Sequence, residues 1–184
     1  MPYKNRLATL AALILILSGC QSEQRKQAVV SGPITDFLKQ VKEANAGRSL
    51  QKHVVQIGGW QEQKFIKKAN AAHELALIDK ADLSYTALQA NYGRQTLNGE
   101  ELYQCQDPRL ETQSLRIMRD NSQRIIGITA KMRQQNYLYE QSNTGVLGVR
   151  YDGDRPLITQ STFTGSQKMI VGQEFKYAIN QIWK

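Results

Sequence analysis

A chain of 184 residues with 41% hydrophobic and 22% charged side chains has room for one ordinary domain plus a leader. That composition excludes wholesale disorder, collagen-like repeats and an integral membrane bundle. Lys and Arg total 24 against 16 Asp and Glu, a formal charge of +8, and two cysteines exclude a disulfide-dense scaffold. The first element in chain order is a short positive region, Lys4 and Arg6, followed by Leu7 to Leu17, apolar except for Thr9. Its eleven residues fall far short of the roughly 20 that a spanning helix needs. Small residues, Ser18-Gly19, then precede Cys20, so the segment has the proportions of a secretory signal peptide.

With its charge, apolar length and cysteine position in agreement, this segment resembles a bacterial lipoprotein leader, and Leu17-Ser18-Gly19-Cys20 matches the lipobox. The resemblance covers the leader only. It implies removal of residues 1–19, a thioether-linked diacylglycerol on Cys20, and acylation of the amine freed there. Burying acyl chains is worth about 0.8 kcal/mol per CH₂, so two or three chains make release slow. In such lipoproteins an Asp after the cysteine favours inner-membrane retention. Gln21 and Ser22 here imply the outer membrane, with the protein facing the periplasm. Losing Lys4 and Arg6 with the leader takes the basic count from 24 to 22 against 16 acids, and the charge from +8 to +6. Cys105 is then the remaining unmodified thiol, which excludes an intramolecular disulfide. It is expected either to be buried or to pair with another chain.

Residues 20–32 read as the lipidated cysteine and a polar tether, and 33–184 as a single periplasmic domain. A flexible coil of 12 residues would span about 17–21 Å. Pro33 opens a helix in which Ile34, Phe37, Leu38 and Val41 form one apolar stripe, with Gly47 as its stop. Leu50 to Ile57, rich in Val and Ile before Gly58-Gly59, predicts a strand. Gln61 to Asp79 predicts a second helix, with Phe65, Ala69, Ala72 and Ala76 at helical spacing. Residues 82–92 satisfy helix and strand patterns alike. Asn98-Gly99 and Asp107-Pro108 mark turns.

From Ser114 onward the pattern is β-meander. Leu115 to Arg119 and Arg124 to Arg133 flank Asp120-Asn121-Ser122-Gln123 as a hairpin, with Ile126, Ile128, Ala130 and Met132 on one face. Asn136 to Glu140, Val146 to Tyr151, Leu157 to Phe163 and Lys168 to Val171 read as extended, with Asp152-Gly153-Asp154 as a turn. The final strand alternates Phe175, Tyr177, Ile179 and Trp183. The expected class is α+β: N-terminal amphipathic helices packed on a mostly antiparallel sheet.

No catalytic constellation emerges, and no enzyme activity is expected. Cys105 lacks the Asp-Cys-Ser-Gly setting of envelope cysteine peptidases, and its histidine candidates are His53 and His73 alone. Those histidines stand too far apart in sequence for a His-x-x-x-His metal pair. Asp152 and Asp154 lack the further ligands of a calcium loop. Glu100 and Glu101 point to opposite faces if extended, and Gly145, Gly148 and Gly153 do not space as a phosphate loop. No metal or cofactor is implied.

The basic excess remains. Lys64, Lys67 and Lys68 make one stripe if helical, and Arg116, Arg119, Arg124, Lys131 and Arg133 crowd the central hairpin. Such groups suit an acidic protein, anionic lipid, lipopolysaccharide phosphates or peptidoglycan carboxylates. They equally suit a solvated face. Nucleic acid is not expected in the periplasm. The 21 Gln residues are scattered and favour no choice. The leading expectation is a lipid-anchored, non-enzymatic protein binding another envelope component in assembly, secretion or conjugation. The alternatives are a periplasmic inhibitor or immunity protein against a toxin or hydrolase, and a cell-wall hydrolase using Cys105.

Overall fold

The computed structural model describes residues 32–84 and 89–184. The leader, Cys20 and nearly all of the tether lie outside the described residues, as do 85–88 within the ambiguous stretch. The strands are β1 (Leu50–Gln56), β2 (Gln61–Ile66), β3 (Tyr92–Leu97), β4 (Glu100–Cys105) and β5 (Thr112–Arg119). They continue as β6 (Ile125–Gln135), β7 (Tyr139–Asp152), β8 (Arg155–Met169) and β9 (Glu174–Trp183). Among the described residues three short helices, α1 (Thr35–Ala44), α2 (Ala71–Glu74) and α3 (Ala76–Lys80), accompany the sheet. All nine strands form one antiparallel sheet in the order β2-β1-β9-β8-β7-β6-β5-β4-β3. β3 to β9 is a continuous meander, and β9 returns to pair with β1, Leu50 opposite Trp183.

Strand takes 56% of the described residues and helix 13%. The α+β expectation is therefore corrected to a mostly antiparallel β fold with three short helices. The physical reason lies in residues 61–79, where a long helix was expected. Gly58, at φ +80°, turns the chain back on itself, and Gln61–Ile66 joins β1 from Val55↔Gln61 to Leu50↔Ile66. Glu, Gln and Lys are helix formers, but the pairing partner alongside outweighs that weak preference. Helix resumes only where the Asn70 side chain accepts the His73 N–H, a single-turn N-cap.

α1 begins two residues after Pro33 because Asp82 holds its first turn, accepting from the Ile34 N–H at 3.4 Å and from the Thr35 hydroxyl. Burial raises the Asp82 carboxyl above its ordinary value, with the Thr35 hydrogen bond opposing. Ile34, Phe37, Leu38 and Val41 are buried, as are Leu75, Ile78, Ala81 and Leu83 from the α2–α3 segment. They cover the inner face of the sheet over Leu115, Ile117, Ile128, Ala130, Leu147, Ile158, Phe163 and Trp183. Among the described residues no helix covers the outer face, which carries Thr, Ser, Gln and Lys together with the exposed Phe65 and Ile182. In β6 the inward set is Ile125, Ile128, Ala130 and Met132, while Ile126 is exposed. A register slip between Met118 and Arg119 shifts the phase there by one residue. Asn136 to Leu138 forms a turn rather than a strand. The segment expected at 157–163 runs on into β8 as far as Met169, leaving Ile170 and Val171 of the segment expected at 168–171 in the turn that follows.

Gly145 lies under the helices. A Cβ there would come within 2.7 Å of Ile78 Cδ1 and 2.8 Å of Leu77 Cδ2, so both side-chain ends must shift, that of Ile78 within the buried core. Gly145→Ala is therefore expected to destabilise the domain by about 1–2 kcal/mol through overpacking. Urea denaturation should show a lower midpoint with an unchanged slope.

Candidate functional site

The basic residues divide by position. Arg116, opposite Thr129, and Lys131, opposite Ser114, project from the outer face of the β5–β6 hairpin, and Arg133 follows Lys131 on the same face. Arg116 pairs with Glu100 at 3.5 Å and Arg133 with Glu140 at 2.8 Å. Among the described residues Lys131 makes no ion pair. Arg124 sits at the hairpin turn, bonded to Asp120 at 2.9 Å and stacked 4.5 Å from the Tyr151 ring centre. Arg119 turns inward instead, its Nε donating to Glu101 at 2.6 Å. Lys64 lies in edge strand β2 with Lys67 and Lys68 in the bend after it, across β1, β9, β8 and β7 from the hairpin. The eight residues therefore form two separate groups, and the helical stripe through Lys64, Lys67 and Lys68 does not form.

Glu101 is the feature that sequence reading missed. Its buried carboxylate accepts from Arg119, from Arg94 at 2.8 Å and from the Tyr103 hydroxyl at 3.1 Å. Burial works to raise its pKa. The hydrogen bond and charge of Arg119, with Tyr103 and Arg94, outweigh burial and hold the carboxyl below its ordinary value. Its neighbour Glu100 faces the other way, as alternation requires.

Cys105 is half-buried, and its thiol donates to the Asp107 carbonyl at 2.9 Å. Tyr92 lies opposite it, its hydroxyl donating to the Thr112 carbonyl at 2.6 Å, and burial raises the Tyr92 phenol. His53 is on β1, six places from β4 in the strand order, and His73 is exposed on α2 beside Glu74. The thiol thus bonds to a backbone carbonyl rather than to an imidazole. Among the described residues no group of three His, Cys, Asp or Glu could hold a metal ion. Asp152-Gly153-Asp154 is a tight turn with Asp152 opposite Arg155 and Gly153 at φ +60°.

One end of the sheet differs from the rest of the surface. Because neighbouring strands alternate in direction, the β1–β2, β4–β5, β6–β7 and β8–β9 connections all emerge at that end. Ile57, Trp60, Tyr137, Leu138, Ile170 and Val171 stand there, from 53% exposed at Leu138 to 87% at Val171. The Ile170 N–H donates to the Leu138 carbonyl at 3.0 Å, which places two of these turns side by side. A cleft of about 500 Å³ lined by Pro108, Arg109, Glu111, Arg133, Gln134 and Gln135 opens beside them. At its rim the Arg109 guanidinium holds the Asp107 carboxyl down to about 2. The sequence signal was present: apolar residues abut turn residues at Ile57-Gly58, Tyr137-Leu138 and Val171-Gly172. In single file they read as strand ends.

The architecture defines the class: one open antiparallel sheet with a single helix-covered face. Comparison with protein-family models, curated proteins and solved structures gives no match for this chain.

Proposed function

We propose that the chain is a non-enzymatic protein, anchored through acyl chains on Cys20 to the outer membrane and facing the periplasm, whose β domain binds another envelope component. The contact surface is the outer face of the β5–β6 hairpin. The observation that carries this reading is the row of Arg116, Lys131 and Arg133 on one solvent face, interleaved with the hydroxyls of Ser114 and Thr129. Arg116 and Arg133 share their charge with Glu100 and Glu140, so Lys131 is the strongest open attractor. A carboxylate-bearing or phosphate-bearing partner suits such a surface.

A photoreactive residue at Thr129 in intact envelopes tests it. The triple change Arg116→Glu, Lys131→Glu, Arg133→Glu is expected to lower adduct yield at low salt by about tenfold or more, since rim charges act mainly on association. Unchanged yield at low salt would overturn the surface. All three side chains are exposed, so the thermal midpoint should stay near that of the parent chain.

A further inference from the structure

We propose that the apolar loop end is a membrane-contacting edge, in which the turns of the β1–β2, β6–β7 and β8–β9 hairpins sit in the interfacial layer of the bilayer that holds the chain. Three observations converge on a bilayer. The first is shape: Ile57, Trp60, Tyr137, Leu138, Ile170 and Val171 project from separate turns along one edge, with Ile57 and Ile170 also bordering two small open clefts. Protruding single side chains fit a fluid medium better than a shaped partner. At the opposite end the turns are Asn98-Gly99, Asp120 to Gln123 and Gly153-Asp154, and the exposed apolar residues there, Phe65, Leu97, Ile126 and Ile182, sit in strands rather than at turn tips. The turn tips therefore differ: apolar in the β1–β2, β6–β7 and β8–β9 connections, polar at the opposite end.

The second observation is backbone satisfaction, which chain entering a bilayer requires. Ile170 N–H bonds to Leu138 O at 3.0 Å and Ile57 N–H to Lys176 O at 2.9 Å. The Asn136 side chain accepts the N–H groups of Leu138 at 2.7 Å and Tyr139 at 3.0 Å. These turns carry internal partners with them. Trp and Tyr at the tips are the side chains favoured at headgroup depth, and Lys168 and Lys176 stand one step behind.

The third is reach, and here the inference rests on the tethering reading above. Cys20 stands twelve residues before Gly32, so an anchor there keeps Gly32 within about 43 Å of the bilayer even at full extension. Confinement of that kind raises the effective concentration at the surface to about the millimolar range, so weak contacts from each turn suffice.

The full-length protein, purified from envelopes and reconstituted in vesicles of phosphatidylethanolamine and phosphatidylglycerol, tests the idea through Trp60. Trp183 is buried and serves as an internal reference, isolated in a Trp60→Phe control. Brominated acyl chains are expected to quench Trp60 while vesicles shield it from iodide. Leu138→Asp combined with Val171→Asp should reduce the bromolipid quenching by about fivefold or more without lowering the thermal midpoint. Equal iodide quenching with and without vesicles, in protein whose intact mass shows acylated Cys20, would overturn the proposal. Shielding of Trp60 that needs another envelope protein, with no bromolipid quenching, would overturn it too. A mass lacking acyl chains would remove the anchor reading instead, and quenching by added vesicles would then judge the turns by themselves.

Discussion

Asn45→Ala should be among the most damaging single substitutions in the domain, lowering stability by about 3–4 kcal/mol. Asn45 is a fully buried polar residue at the C-terminus of α1, with every hydrogen-bonding valence of its amide directed. Its Nδ2 donates to the Val41 carbonyl at 2.6 Å and the Pro156 carbonyl at 2.9 Å. Its Oδ1 accepts the Ile158 N–H at 2.9 Å and an Arg48 N–H at 2.5 Å. The Ile158 contact lies beside the register shift in the β7–β8 pairing, so the side chain supplies an acceptor where the ladder is interrupted. Alanine leaves a buried N–H without that partner and removes a donor from Pro156, each loss worth about 1–3 kcal/mol. Asn45→Asp is expected to fall nearly as far, because it keeps the acceptor but sets a second oxygen against the Val41 and Pro156 carbonyls. Equilibrium urea denaturation measures both. A loss below about 1 kcal/mol for alanine would mean that water replaces the amide.

Glu101→Gln should cost about 2–3 kcal/mol, less than the full value for a broken buried ion pair because Arg94 is largely exposed and Arg119 partly so. The pH dependence gives the sharper test. The native carboxyl is held below its ordinary value. Ionised Glu101 therefore contributes its full share above the unfolded-state carboxylate range. That share disappears as the pH falls through the lowered native value. The parent chain should lose stability over that acid window, and Glu101→Gln should show a flatter acid limb. A variant whose ΔG against pH runs parallel to the parent from neutrality into that window would dissociate Glu101 from the acid response.

Legibility from sequence followed the range of the interactions. The β5–β6 hairpin was readable because Ile128, Ala130 and Met132 keep period two and the polar turn Asp120 to Gln123 separates two short apolar runs. The stripe Ile34, Phe37, Leu38 and Val41 was readable for the same reason, at period 3.6. Residues 61–66 were misread because nothing within the segment signals an edge strand; the partner that makes it one is β1, across Gly58-Gly59. The Glu101 cluster was invisible because Arg94 and Arg119 meet it only after β3 and β5 fold onto β4. The basic residues looked like one surface because sequence spacing cannot report that β7, β8, β9 and β1 separate the hairpin from β2.

The position of β9 has a kinetic consequence. It is hydrogen-bonded on one side to β8 and on the other to β1, with Leu50 meeting Trp183 across most of the chain. Until residues 174–183 are in place, the N-terminal hairpin and the meander from β3 to β8 are two pieces of sheet with no strand pairing between them. Such long loop closures slow folding. That topology defers closure of the sheet until residues 174–183 are available to bridge β8 and β1.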